Sequence, residues 1–525
     1  MTRSLVGRRP DVPADVLVVV DYEAQLQPGT FEHALQHLID KRLDLSIFDV
    51  HFKNEDTGRL AYDPAILLKI ILFAYSKGIT SSREIQWCCR HNILFQALSC
   101  DTVPHWTTIA HFVSSHPDEI EELFEQILLV CDEQGLLGKE LFAIDGCKLP
   151  SNAAKEWSGT FKELTDKQKK IQQRIRVLIG EHRRIDEEEE TTGDAARTER
   201  TERTLETLNR ANEKIERFLK TARPRMGRGK RAREVKSNIT DNDSAKMTTS
   251  KGTIQGYTGL AAVDRKHQII VEAQAFGDGQ EHHTLEPMTR SVRTRFERLG
   301  ISPDIYDEGT QVTADAGFAS ETNMRYLHDE GIDGYVPDTR FRERDERFAG
   351  HKARHRKPRS SKVGKWFPAH AFEFDPQSRT CRCPAGNDLA LRREEVDKRG
   401  NRKLFFEGYL LQCRHCALKH QCLRNPNSAD HRNGHGRQVS FILEKDVGPG
   451  NYYMNWMRRR IDSEQGREIY GHRMSVVEPV FANITANKKL KRFSLRSRPK
   501  VQGQWRLFCL VHNIEKIMNY GMVPA

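Results

Sequence analysis

The chain has no apolar run long enough to cross a bilayer: none of its 525 residues lies in a stretch approaching the roughly 18 apolar residues that mark a membrane helix. The N-terminus, MTRSLVGRRPDVPADVLVVVDYEA, has only a short apolar stretch and no small-residue cleavage site, so it does not read as a secretory leader. These absences point to an intracellular, cytoplasmic protein with no membrane partner. Hydrophobic residues are also sparse, at 37% against 30% charged. A chain this long and polar predicts about two to four domains with solvated segments. In a reducing compartment its eleven cysteines are not expected to form disulfides.

Positive charge, by contrast, is abundant. There are 84 Lys and Arg against 73 Asp and Glu, a formal net charge of +11. Such a balance suits a polyanion, nucleic acid first, although a basic protein without a polyanion ligand has the same composition. The excess is concentrated in residues 223–236, which include Arg223, Arg225, Lys230 and Arg233, in 351–365, and in 488–500. Each segment reads either as a track for phosphates or as a solvated linker.

Residues 28–135 read as short helices. Asp63-Pro64 supplies an N-cap and a first-turn proline, Ser81-Ser82-Arg83-Glu84 has capping chemistry, and a third helix opens at Pro104 and runs to about Phe112. This pattern fits a helix-turn-helix module and any small helical bundle equally well. Leu141-Phe-Ala-Ile-Asp145 then reads as a buried strand. From about 157 to 222, Leu164, Ile171, Ile175 and Leu178, and again Leu205, Leu208, Ile215 and Leu219, recur at heptad-like spacing. They predict an antiparallel helical hairpin, a spacer or oligomerisation arm without chemistry of its own. Strands are expected at 256–263, 268–276, 311–315 and 334–337, with helices at 281–298 and about 320–330, giving a mixed α/β sheet. Helix resumes beyond about 462, and the last one covers about 502–519.

Two of these strands end in an acid followed by a small residue, Asp145-Gly146 and Asp315-Ala316-Gly317. An Asp at the carboxyl end of a strand points into the crevice where α/β sheets bind ligands. A third acid stands in Tyr470-Gly-His-Arg473-Met-Ser-Val-Val-Glu478-Pro-Val-Phe481. At 3.6 residues per turn Tyr470, Arg473, Val477, Glu478 and Phe481 share a broad face, expected to be buried against the sheet. A buried Glu478 needs a partner. Arg473 provides one as an ion pair, and a divalent metal shared with Asp145 and Asp315 provides another. Three carboxylates without histidine suit Mg²⁺ or Mn²⁺, and two such ions can serve an in-line phosphoryl displacement.

With these segments the chain resembles the bacterial insertion-sequence transposases of the DDE type. Ile144-Asp145-Gly-Cys-Lys-Leu-Pro-Ser-Asn152-Ala153 resembles the first-Asp motif, and Thr313-Ala-Asp315-Ala-Gly317-Phe318 the second. Thr240-Asp241-Asn-Asp243 with Gly256-Tyr257 resembles the approach to the second strand. Tyr470, Arg473 and Glu478 match the Tyr–Arg–Glu signature, with four residues between Arg473 and Glu478 where a common form has three. The segments at Ser81–Glu84 and Pro104–Phe112 are similar to the family's N-terminal helical domain. The resemblance implies an α/β, ribonuclease H-like catalytic core, catalytic Asp145, Asp315 and Glu478 on Mg²⁺ or Mn²⁺, and Arg473 and Tyr470 positioning the third acid or the scissile phosphate. It also implies double-stranded DNA as partner, both element ends and target, and a homo-oligomer on DNA. A stand-alone nuclease, or a DNA-binding protein with an inactive core, would share much of this pattern.

Five cysteines cluster between Cys381 and Cys422. A CxxC at Cys413 and Cys416, flanked by further cysteines, suggests structural Zn²⁺ on Cys383, Cys413, Cys416 and Cys422. Cys381, His415 and His420 compete for the same role. The expected organisation is a helical N-terminal domain at 1–135, a core at 136–156 and 237–345, a hairpin insertion and basic linker at 157–236, a zinc-binding insertion at 346–445, and C-terminal helices completing the core at 446–525.

Overall fold

The computed structural model describes residues 20–51, 61–192, 195–227, 232–351, 366–396, 401–444 and 452–523. The basic stretch at 351–365 lies almost wholly outside them, as does the start of the chain. No helix among the described residues is long and apolar enough to cross a membrane. Two compact units divide the chain. The first runs to Phe318 and adds Tyr326–Val336 and everything from Glu468 on; the second comprises Ala319–Arg325 and Pro337–Arg467.

The first unit begins with six helices: α1 (Phe31–Lys41), α2 (Pro64–Ser76), α3 (Ser82–His91), α4 (Ile93–Leu98), α5 (Trp106–Ser115) and α6 (Pro117–Glu133). Asp63 caps α2 as expected, accepting the Ala65 N–H at 2.8 Å. Ser81 precedes α3 but its side chain makes no capping bond. The predicted hairpin is α7 (Phe161–Thr192) and α8 (Ala195–Thr221). Leu164, Leu178 and Ile215 are buried, and Phe161 meets Phe218 at a ring distance of 5.8 Å where the two ends come together. The following linker is not simply extended: Arg225–Met226 pairs with Glu234–Val235.

Six strands build the main sheet: β1 (Leu141–Pro150), β2 (Ala245–Thr249), β3 (Gly252–Asp264), β4 (Ile270–Phe276), β5 (Gln311–Ala314) and β6 (Asp333–Tyr335). The order is β6-β5-β1-β3-β2, with β4 also paired to β3. β1, β5 and β6 are parallel, whereas β3 runs antiparallel to β1. Strand β2 is an addition to the expected set, because Ala245-Lys-Met-Thr-Thr249 carries only one strongly apolar side chain. Helices α9 (Leu285–Arg298) and α10 (Glu321–Asp329) fall where the sequence puts them.

The later helices are α11 (Tyr452–Asp462), α12 (Glu464–Gly471), α13 (Arg473–Ala482) and α14 (Arg498–Tyr520). Apolar residues surround α14 on all sides, so it is enclosed: Val501, Trp505, Phe508, Leu510, Val511 and Ile514 are all inaccessible to solvent. The Trp505 indole N–H donates to the Leu260 carbonyl at 2.9 Å, and its ring lies on Gly259, where any Cβ would sit 3.1 Å from it. Asn513 completes the pairing of Ile270, accepting its N–H and donating to its carbonyl at 2.9 and 2.8 Å. The Thr240–Asp243 motif holds the start of this helix. Asp241 accepts the Ser497 N–H and the Tyr257 hydroxyl, and Asp243 accepts the Arg498 N–H, as suits carboxylates at a helix N-terminus.

The second unit contains a five-stranded antiparallel meander: β7 (Glu373–Asp375), β8 (Thr380–Arg382), β9 (Asp388–Val396), β10 (Arg402–Gly408) and β11 (Gln438–Glu444). Phe372, Cys381, Leu389, Leu404, Phe406 and Val439 form its core.

One buried charge network ties the first unit together. Arg295 on α9, 2% exposed at its side chain, pairs with fully buried Glu272 on β4 and with Glu121 and Glu125 on α6, all within 2.5–2.8 Å. Removing the cation leaves Glu272 charged, buried and without its guanidinium. Arg295→Met is therefore expected to lower stability by roughly 3–5 kcal/mol, read as a fall in the urea midpoint.

Candidate active site

Asp145 and Asp315 are brought together by strand register. In the parallel pair of β1 and β5, Ile144 stands opposite Ala314. The next residue in each case is an aspartate: Asp315 follows the last residue of β5, whereas Asp145 does not end its strand as expected, because β1 runs on to Pro150 against β3. The two carboxylates are neighbours where the parallel pairing stops, on the side of the sheet where such folds bind ligands. The Asp145 side chain is 24% exposed and pairs with the Arg473 guanidinium at 2.6 Å; it also accepts the Gly146 N–H at 2.8 Å. Asp315 accepts the Gly317 N–H at 2.7 Å. Burial pushes the Asp145 carboxyl above the usual carboxylate range. Arg473 and the Gly146 N–H oppose that shift, and the charges of Asp315 and Glu281 add to it.

Glu281 is the acid that sequence reasoning misses. It opens a short turn, Glu281–His283, between β4 and α9. A Cβ on Gly317 would collide with the Glu281 carboxylate and lie 2.9 Å from Asp315 Oδ1. Only a glycine at 317 leaves room for the two acids to face each other. Lys148, from β1, pairs with Glu281 at 2.9 Å. The signal that could find it is an acid soon after a strand, as with the two aspartates. Locally, the same glutamate reads equally well as the start of a helix.

Glu478 is placed differently from expectation. Tyr470 and Arg473 do not share one continuous helix: α12 ends at Gly471 and α13 begins at Arg473. On α13 the buried residues are Arg473, Val476, Val477 and Val480. At 3.6 residues per turn Glu478 lies about 140° round from Arg473, and it is exposed. The expected burial of Glu478 is thus corrected. Arg473, one of the two partners considered for Glu478, pairs instead with Asp145. Tyr470 is half-buried near the end of α12.

The cysteines converge in the second unit. Cys383, Cys413, Cys416 and Cys422 line one small cavity of about 30 Å³ beside Arg437. Cys381 is 1% exposed in the core of the meander, and His415 and His420 are exposed and do not line the cavity. Burial raises the Cys422 thiol to about 11, against the opposing charge of Arg437. Among the described residues, the one group of three or more metal-ligating side chains with donor atoms all within 4.8 Å is elsewhere, at His51, His116 and Glu119.

A basic cleft of about 1060 Å³ opens in the first unit. Lys155, Lys214, Arg217, Lys491, Arg492 and Arg496 line it, with Trp157 among them. All six cations are exposed. Asn152, from the first-Asp motif, anchors one wall by accepting from Arg492 at 2.9 Å and, through its carbonyl, from Arg496 at 2.8 Å.

Residues 382–518 match the family described as Transposase DDE domain, a span that contains Tyr470, Arg473, Glu478 and four of the five clustered cysteines. Residues 20–115 match Transposase domain (DUF772), which covers α1 to α5. No curated protein and no solved structure matches the chain. A DDE domain implies a ribonuclease H-like core, and a mixed α/β sheet behind a helical N-terminal region is what the chain forms. A transposase domain matched near the start and a transposase DDE domain matched towards the end are together consistent with an insertion-sequence transposase of the DDE type.

Proposed function

We propose that this transposase binds the ends of its element and catalyses metal-dependent DNA cleavage and strand transfer at Asp145 and Asp315. The observation that carries the reading is the register that makes these aspartates neighbours where the parallel pairing of β1 and β5 stops. The site fits Mg²⁺ or Mn²⁺: its donors are carboxylate oxygens without sulfur or imidazole, and Gly317 keeps the space between Asp315 and Glu281 free of a side chain. Two bound ions would stabilise the attacking and leaving oxygens of an in-line displacement. Asp145 and Asp315 would hold those ions. Arg473 orients Asp145 and offsets its negative charge; Lys148 does the same for Glu281. Water attacks in cleavage, and a DNA 3′-hydroxyl attacks in joining. Tyr470 would complete the signature beside Arg473.

Two glutamates compete to be the third acid. The family signature favours Glu478, and the local geometry favours Glu281. In Mg²⁺-dependent cleavage of end-repeat DNA, Asp145→Asn and Asp315→Asn should each lose roughly 100-fold or more. Undiminished cleavage in either would sink the assignment. Glu281→Gln and Glu478→Gln decide the third position, since the true ligand loses Mn²⁺ binding by electron paramagnetic resonance together with cleavage. Joining of pre-cut ends separates a transposase from a stand-alone nuclease.

DNA is the partner, and the basic cleft is its proposed track. Exposed cations serve phosphates through counterion release. Replacing Lys491, Lys214 and Arg217 by Ala should weaken binding to all sequences alike. The slope of log affinity against log salt should become shallower by roughly 0.9 for each phosphate no longer neutralised; an unchanged slope would place the track elsewhere. A homo-oligomer on the paired ends belongs to the same reading.

Zinc is proposed for the cysteine cavity, on Cys383, Cys413, Cys416 and Cys422. Support comes from four thiols facing one cavity large enough for a single small ion, and a four-thiolate site is structural rather than catalytic. The purified protein should carry zinc that is lost in Cys413→Ala and Cys416→Ala. A protein that folds fully without metal would refute the proposal.

A further inference from the structure

Three side chains of the helical N-terminal region stand apart from both sites above. His51 ends a short 3-10 turn, Ser46–His51. His116 is the junction between α5 and α6, and Glu119 lies one turn further along α6. Their donor atoms all lie within 4.8 Å of one another. The imidazole rings of His51 and His116 are 4.6 Å apart between centroids. Glu119 reaches both: one carboxylate oxygen is hydrogen-bonded to His51 Nε2, and the other is 3.7 Å from His116 Nδ1.

His116 is the informative member. It is 6% exposed, and its Nδ1 has no hydrogen-bond partner among the described residues. A histidine at the start of a helix has an obvious use for that nitrogen, as His105 shows by accepting the Thr107 N–H ahead of α5. His116 occupies the same position ahead of α6 and makes no such bond. Its ring is instead held edge-on by Phe48 and tilted against Phe112. Both histidines line a cavity of about 580 Å³ that His111 also borders. A buried polar atom without a partner costs free energy, and here the atom is directed at a carboxylate that is too distant for a hydrogen bond and close enough to share an ion.

We propose that His51, His116 and Glu119 form a binding site for a divalent ion of the zinc class. Two imidazole nitrogens and one carboxylate oxygen are a borderline donor set that selects Zn²⁺ or Co²⁺ over Mg²⁺. Zinc–nitrogen bonds of about 2.0–2.1 Å require the three donors to draw in slightly around the ion, with the direct His51–Glu119 hydrogen bond exchanged for coordination. A fourth position would be filled by water or by His111, which borders the same cavity. Such an ion would pin the Ser46–His51 turn to the α5–α6 junction. It would thereby fix one wall of the region that matches the transposase domain.

The test is a titration with Co²⁺ of the full-length protein after mild chelation that leaves zinc in the four-thiolate site, followed by competition with Zn²⁺. A site of nitrogen and oxygen donors gives visible d–d bands without the near-ultraviolet charge transfer of thiolates, which keeps the signal apart from the cysteine cavity. The wild type is expected to bind one equivalent with this signature and release it to Zn²⁺. Affinity should fall at least tenfold in His51→Ala, an exposed position whose replacement leaves the core intact, and also in Glu119→Gln and His116→Ala. The site is overturned if the wild type shows no such bands, or if His51→Ala and Glu119→Gln bind as the wild type does.

Discussion

A helix that is apolar on every side cannot lie on a surface, and the first unit is organised around that constraint. α14 finds partners in α1, α2, α5 and α6 on one side and in β4 on the other. Trp505 packs on Gly259 and bonds the Leu260 carbonyl; Asn513 acts as an extra peptide group for Ile270. Chain beginning and chain end are thereby part of one core with the middle. That accounts for matches to two transposase families falling at opposite ends of the sequence although both contribute to this unit.

The same packing prepares the site. With β1 held between β5 and β3, the register of a few apolar residues decides where Asp145 and Asp315 end up. β1 and α13 then supply the cations, Lys148 and Arg473, that make a cluster of carboxylates tolerable in a half-buried position. Asp145 and Glu281 each have a compensating cation on a separate element, so the geometry depends on the tertiary fold and not on any local turn. Behind the sheet, Arg295 plays a comparable part for Glu272, Glu121 and Glu125.

Much of this is legible in the residues alone, for physical reasons. The apolar runs before Asp145 and Asp315 read as strands, although β1 continues through Asp145 to Pro150 because β3 pairs with it there, and the heptad spacing of 157–222 reads as paired helices. Where sequence reasoning fails, the local signal is ambiguous. Ala245–Thr249 is too polar to announce a strand and is one because β3 offers it an edge. The periodicity around Glu478 suggests a face continuous with Tyr470. The break at His472 rotates the buried side onto Arg473 and Val480 and leaves Glu478 outside. Glu281 carries a cue like that of the two aspartates, an acid soon after a strand, but nothing local distinguishes it from a helix-opening glutamate. The five-stranded meander is also unannounced, since its residues alternate irregularly between charged and apolar.

By itself, the sequence determined most helices and strands of the first unit, the candidate acids Asp145 and Asp315 and the clustering of the cysteines, because periodicity and residue chemistry are local properties. Only the tertiary structure decided which carboxylates meet, that Arg473 belongs to Asp145, that Cys381 is a core residue while four other cysteines share a cavity, and that His51 joins His116 and Glu119. Those pairings depend on strand register and helix rotation, which are settled by packing between segments far apart in the chain.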